Sequence, residues 1–186
     1  AIAINLTMGL NYSWSVIKKA LVTDWHWTNV DASLPYMFYS AVYAFYAIFA
    51  GKLQDKFGPR LIASIGGLAL GSGLIACVYS TDPMMLTISY GFVVSMGYSM
   101  CNAATLPASM KWFPPERRGL VAGTVMGAIG MAAVLLSLVI NWALANFGIS
   151  KTFLLLAFGL VPIIFVSAQF LSNPPDEYEF PPTKTK

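Results

Sequence analysis

Asn11, Asn102, Asn141 and Gln169 are uncharged polar side chains set in otherwise apolar stretches, and chemistry is sought there first. Asn11 stands in the string Asn11-Tyr12-Ser13-Trp14-Ser15, and Asn102 is followed by Thr105 and the kink-forming Pro107. An amide held away from water needs hydrogen-bond partners. Each asparagine therefore reads in two ways, as an interhelical hydrogen bond or as a cavity-facing donor to a carboxylate. Asn141 and Gln169 sit nearer the ends of their stretches and read as rim residues. Tyr36, Tyr39, Tyr43 and Tyr46 recur at spacings of three or four, one side of a helix. Tyr36 suits an interfacial belt. Tyr39 and Tyr43 lie deeper, and a buried phenol needs a partner, so both are candidates to face a polar cavity.

Ionisable side chains are missing from the middle of every apolar stretch. At membrane depth such groups mark ion and coupling sites, so proton-coupling chemistry is expected outside these 186 residues. Lys18 and Lys19 come closest, and at a helix end they can snorkel to the interface. Cys77 and Cys101 lie in apolar runs and read as small core residues, with no metal site and no cofactor implied. The only histidine, His26, falls in a polar connection.

The elements that must position these groups are long and apolar. Apolar residues make up 57% of the chain and charged residues 10%, against about 25% charged in a soluble domain. Mean hydropathy is +0.66. The scattered cations exclude a nucleic-acid footprint. A spanning helix needs about 20 mostly apolar residues. Six stretches qualify, at about 1–20, 32–51, 60–79, 84–111, 117–146 and 151–171. The fold class is an all-α membrane bundle of six transmembrane helices, and no nucleic-acid partner is expected.

Connections carry the usual punctuation. Thr28 is placed to cap the second helix, with Asp31 near its positive end. Pro83 and Pro115 suit first turns. Gly148 stops the fifth helix, and Ser150 is placed to cap the sixth. Residues 173–186 read as an extended Pro-rich linker. Ala1 opens inside an apolar run and no signal peptide is visible, so residues are expected beyond both ends. Lysine and arginine fall eight to three in favour of the 51–60 loop, the 111–118 loop and the tail. That bias places those loops and both ends in the cytoplasm, with the bundle in the cell membrane.

Gly51-Lys52-Leu53-Gln54-Asp55-Lys56-Phe57-Gly58-Pro59-Arg60 reads as a compact charged turn between two spans. Its pattern Gly-x-x-x-Asp-(Arg/Lys)-x-Gly-x-(Arg/Lys) resembles the loop between helices 2 and 3 of the major facilitator superfamily. The run Lys111-Trp112-Phe113-Pro114-Pro115-Glu116-Arg117-Arg118-Gly119-Leu120-Val121-Ala122-Gly123 resembles one branch, the oxalate/formate antiporters, neighbours of the monocarboxylate transporters. Gly9-Leu10-Asn11-Tyr12-Ser13-Trp14-Ser15 and Asn173-Pro174-Pro175 look like the same branch. The resemblance covers essentially the whole chain, in order.

It implies the N-terminal six-helix half of a twelve-helix carrier, with a C-terminal six-helix bundle as partner. Helices 1 and 4 would line the cavity, which raises Asn11, Tyr12 and Asn102 as substrate-binding residues beside Tyr39 and Tyr43. Gly51, Asp55, Lys56, Gly58, Arg60, Arg117 and Arg118 would form a cytoplasmic gate. There Asp55 would accept hydrogen bonds from an opposing helix start or from Arg117 or Arg118, and Lys56 and Arg60 would pair with an acid. The implied function is secondary transport of a small carboxylate, lactate-like with a proton in first place and oxalate/formate exchange second.

The fifth helix lacks the Gly-Pro pair of drug/proton antiporters, which counts against drug export. The first lacks the acid that some proton-coupled relatives carry. The family's substrate-neutralising cations belong to the second bundle, so this half alone is expected not to transport. Small residues repeat every four positions at Gly67/Gly71, at Gly91/Ser95/Ser99/Ala103 and at Gly119/Gly123/Gly127, as close helix packing requires. An intramembrane serine protease would need Gly-x-Ser-Gly before a later histidine. Gly71-Ser72-Gly73 lacks the preceding glycine, and His26 comes before it. A water channel would need paired Asn-Pro-Ala turns, and a bundle that only binds a partner protein stays open.

Overall fold

The computed structural model describes residues 1–175. They are helical with short connections, and no strand occurs among them. The helices join into six rods. The first runs α1 (Ile2–Thr7), a 3-10 stretch (Met8–Ser13) and α2 (Trp14–Asp24). The second and third are α3 (Leu34–Phe57) and α4 (Pro59–Val78). The fourth runs α5 (Pro83–Leu86), a π-helical stretch (Thr87–Val94) and α6 (Ser95–Lys111). The last two are halves of α7 (Pro115–Gln169).

A straight helix of 55 residues would measure about 80 Å, more than twice a bilayer core. Gly148 breaks it, at φ 75° and ψ 178°, a conformation open to glycine. Leu34–Phe57, Pro59–Val78, Pro83–Lys111 and Pro115–Gln169 are each long and apolar enough to cross a membrane.

Three sequence expectations about connections are corrected. The turn expected over Gly51–Arg60 is one residue, Gly58 at φ 83°, and Gly51 through Phe57 are helical. A helical glycine costs about 1 kcal/mol, and the helix nevertheless continues through Gly51 with Ala50 and Gln54 buried on either side. Thr28 does not cap α3. It accepts the Asp31 backbone N–H at 3.2 Å and donates to the Asp31 carboxylate at 2.6 Å, closing a turn ahead of the helix. Ser150 lies inside α7 and caps nothing, and the Gly148 carbonyl instead accepts the Thr152 hydroxyl at 2.7 Å. The linker expected at 173–186 lies outside the described residues from 176 onward.

The small-residue stripes divide into two kinds. On the fourth rod, Gly91 meets the α3 backbone at Pro35 and Tyr39, and its missing Cβ would lie 3.0 Å from the Pro35 carbonyl. One turn on, Ser95 donates to the Tyr39 carbonyl at 2.8 Å, and Ser99 donates to the Tyr43 carbonyl at 3.4 Å. Four-residue spacing on both helices makes a ladder of small residues that ties the fourth rod to α3 beside the aromatic contacts between them. Gly66 and Gly97 let α4 and α6 meet backbone to backbone, since a Cβ on Gly97 would sit 2.4 Å from the Leu70 nitrogen. Gly67 and Gly71 receive Ile164 and Val161 of α7. Gly119, Gly123 and Gly127 behave differently: nothing in the described chain comes within 4 Å of a Cβ placed there. That stripe faces outward. Cys77 and Cys101 are free and fully buried, as core residues.

Candidate functional site

A polar seam runs between the first rod, α3 and the fourth rod. It begins where Gly9 packs on the α7 backbone: a Cβ there would lie 2.4 Å from the Ala132 carbonyl carbon. That close approach lets the Ser13 hydroxyl reach the Ala133 carbonyl at 3.2 Å. The same stretch is wound as 3-10 helix, a tighter coil often found at functional hinges. Asn11 and Tyr12 ride on it.

Five tyrosines and Trp14 fill the space beyond. The Tyr36, Tyr39 and Tyr43 rings stack along α3 at 6.1 and 6.3 Å, with interplanar angles of 3°. Tyr98 meets Tyr39 and Tyr43 edge-on, and Tyr90 lies 4.3 Å from Trp14. Tyr98 donates to the Met8 carbonyl at 2.8 Å. Deeper in, the Asn102 amide donates to the Tyr43 hydroxyl, and Thr105 donates to the side-chain oxygen of Asn5 at 3.4 Å. The side-chain oxygens of Asn11 and Asn102 and the amide nitrogen of Asn5 are buried without a hydrogen-bond partner.

The structure brings Tyr43 and Asn102 together, while Asn11 and Tyr12 line a cavity with Tyr36 that includes neither. Tyr12 is 63% exposed and faces the open side. Tyr39 is corrected: at 2% exposure it is enclosed by tyrosine rings, a packing residue with an unpartnered hydroxyl rather than a cavity wall. Sequence reasoning passed over Tyr98 and Asn5 and gave Thr105 no role beyond its place after Asn102. Tyr98 and Thr105 stand four before and three after Asn102, a helical spacing that was available as a signal.

Lys18 was read as a snorkelling end residue. It lines a cavity of about 310 Å³ between the first rod and the start of α3, together with Asn11, Tyr12, Ser15, Ser33 and Tyr36. Trp14 and Met37 complete its walls. Asn141 is exposed and lies in a separate cleft with Lys19 and Asp24.

At the Gly58 end the expected partners are exchanged. Asp55 pairs with Lys111 at 3.5 Å, not with Arg117 or Arg118. Lys111 closes α6, so its ammonium reaches the adjoining helix end, whereas Arg118 turns back to the Phe113 carbonyl at 3.3 Å. Arg117 is exposed. Among the described residues Arg60 pairs with no acid. Its Nε and Nη2 both donate to the Gln169 side-chain oxygen, at 2.8 and 2.6 Å, joining the start of α4 to the end of α7. Lys56 lies over the Phe57 ring, 5.2 Å from its centre. Among the described residues no group of three or more His, Cys, Asp or Glu could hold a metal.

Apolar rods bridged by hydroxyl-to-carbonyl bonds, with charge at the ends, make this a multi-pass helical membrane protein. The profile of the Major Facilitator Superfamily matches residues 1–186, and the chain belongs to that family. It is 29% identical over 171 residues to the uncharacterized MFS-type transporter YhjX of Escherichia coli, covering 91% of this chain and 42% of that protein. It is 27% identical over 169 residues to the 4-hydroxybenzoate transporter PcaK of Acinetobacter baylyi, covering 88% and 35%. Over 107 residues it is 25% identical to monocarboxylate transporter 13 of Rattus norvegicus, covering 58% and 25%. The chain thus spans less than half the length of these relatives. The family and the relatives' names are those of transporters, not enzymes.

Proposed function

We propose that this chain is the N-terminal six-helix bundle of a secondary carrier for small carboxylates that works by alternating access in the cell membrane. The observation that carries the reading is the match along residues 1–186 to transporters, among which named substrates are carboxylates. The seam supports it chemically. Asn11, Tyr12, Tyr43 and Asn102 offer neutral hydrogen-bond groups. The Tyr43 oxygen accepts from Asn102, which leaves its O–H to donate. Of the seam's asparagines, Asn5 keeps a buried amide donor without a partner, whereas the unfilled atoms of Asn11 and Asn102 are acceptor oxygens. Neutral donors bind an anion weakly enough to release it. A C-terminal bundle is the natural partner, and the outward stripe Gly119–Gly123–Gly127 supports such a partner by leaving room for close helix contact. Asp55–Lys111, the Gly58 turn and Arg60–Gln169 form the gate on the cytoplasmic side.

Lactate-like monocarboxylate moved with a proton is the first choice, and oxalate/formate-type exchange the second. Proteoliposomes holding the full-length gene product test both. Symport predicts labelled lactate uptake that accelerates with an inward proton gradient. Exchange predicts uptake only with a counter-anion inside. No uptake of any small carboxylate under either regime would overturn the reading and leave a bundle that binds a partner without transporting.

A further inference from the structure

We propose that Lys18 provides the positive charge that receives the substrate carboxylate on this bundle, in the cavity between the first rod and α3. The inference rests on the carboxylate-carrier reading and adds to it a cation that the neutral seam lacks.

The first argument is the lining. Lys18 shares the cavity with the amide of Asn11, the hydroxyls of Ser15 and Ser33 and the phenols of Tyr12 and Tyr36. Every one of these can donate a hydrogen bond, and no acid stands among them. A site of donors around one ammonium selects an anion. Trp14 and Met37 give the carbon body of the ligand an apolar wall.

Geometry along the helix is the second. Asn11, Ser15 and Lys18 stand at positions i, i+4 and i+7, one stripe of the first rod. Helical side chains lean toward the N-terminus, which favours the Lys18 stem lying over the Ser15 turn on the side of Asn11. The third argument is the absence of a competitor. Lys18 makes no ion pair among the described residues, where Asp55–Lys111 is the ion pair seen. Asp31 holds the Thr28 hydroxyl, and Asp24 lines a different cleft with Lys19. Without a protein counter-ion, the Lys18 charge is free to pair with an incoming carboxylate.

Lys19 provides the control. It is the same residue type one position on and is exposed. It lines a neighbouring cavity beside Lys18 and the cleft with Asn141, but not the cavity that holds Asn11, Ser33 and Tyr36.

The test uses the full-length gene product in proteoliposomes, with two readouts. One is the KM for external labelled lactate. Lys18→Gln is expected to raise it by about tenfold to a hundredfold, the worth of one charge-assisted hydrogen bond. Lys18→Arg keeps most of the affinity, and Lys19→Gln leaves KM unchanged. The other readout is labelling of a Ser15→Cys variant by a charged thiol reagent, with protection by added lactate. Protection that vanishes when Lys18→Gln is added supports the proposal even if nothing is transported, in which case the carrier reading fails alone. Transport with normal KM in Lys18→Gln, and protection that survives it, overturns the proposal and leaves the carrier reading intact. Running both in phosphatidylcholine and in phosphatidylglycerol vesicles separates substrate from lipid. An effect of Lys18→Gln confined to the anionic lipid means that Lys18 holds a headgroup phosphate, which also overturns the proposal.

Discussion

The Asn102 amide nitrogen donates to the Tyr43 hydroxyl at 2.5 Å, joining the fourth rod to α3 in the middle of the bundle. The bond leaves the Asn102 oxygen buried and unpartnered. It is therefore both a strut and a half-open site. Removing both partners should cost less than the sum of removing each. A double-mutant cycle with Asn102→Ala and Tyr43→Phe, read by thermal unfolding in detergent, should give a coupling of about 1 kcal/mol. Independent effects that simply add would show that the bond contributes nothing. Both single variants should also raise the KM for the carried carboxylate.

Glycine positions should separate sharply. Gly97→Val forces side-chain atoms into the α4 backbone, where even a Cβ would meet the Leu70 nitrogen at 2.4 Å. It should lower stability by roughly 3 kcal/mol, as overpacking does, or prevent folding. Gly123→Val meets nothing within 4 Å in the described chain and should leave the thermal unfolding of this bundle nearly unchanged. In the full-length gene product the same Gly123→Val should slow transport, if a second bundle packs there. Unfolding temperatures for the two variants that match would overturn the distinction.

Asp55 and Lys111 are exposed at the side-chain level, 71% and 42%, so their pair should add no more than about 0.2–1 kcal/mol to stability. Its expected effect is on rate. Lys111→Ala should slow transport while leaving the unfolding temperature within error, and rising ionic strength should shrink the difference between variant and parent. A stability loss of several kcal/mol would point to a structural brace instead.

Sidedness can be read directly. Cys77 and Cys101 are fully buried, so an impermeant thiol reagent should ignore them. His26→Cys should label from outside intact cells, and Asp55→Cys only after the membrane is opened. The reverse pattern would invert the orientation.

Hydropathy and glycine–proline punctuation are local properties, and the helices they mark were legible in the chain. Gly58 and Gly148 turn where their types suggest, because a positive φ is open to glycine at little cost. Gly51 did not turn, and the helix continues through it with Ala50 and Gln54 buried on either side. Asn102 and Tyr43 were legible as candidates, but not as partners, because 59 residues separate them. Tyr39 had the same spacing as Tyr43 and a different fate. Both rings stand in one stack, but the packing of α3 against the fourth rod leaves the Tyr39 hydroxyl enclosed without a partner and brings the Tyr43 hydroxyl to Asn102.

The sequence by itself determined a membrane bundle of apolar helices, its charged ends and its family, because composition and short-range spacing carry those. Only the tertiary structure decided which of two lysines lines the cavity beside the start of α3. Lys18 and Lys19 are chemically identical neighbours, about 100° apart around the helix. Which of the two faces the start of α3 depends on how the first rod docks, through Gly9 against α7 and Trp14 against the Ala32 carbonyl. That docking is a long-range choice of packing, and no window of adjacent residues encodes it.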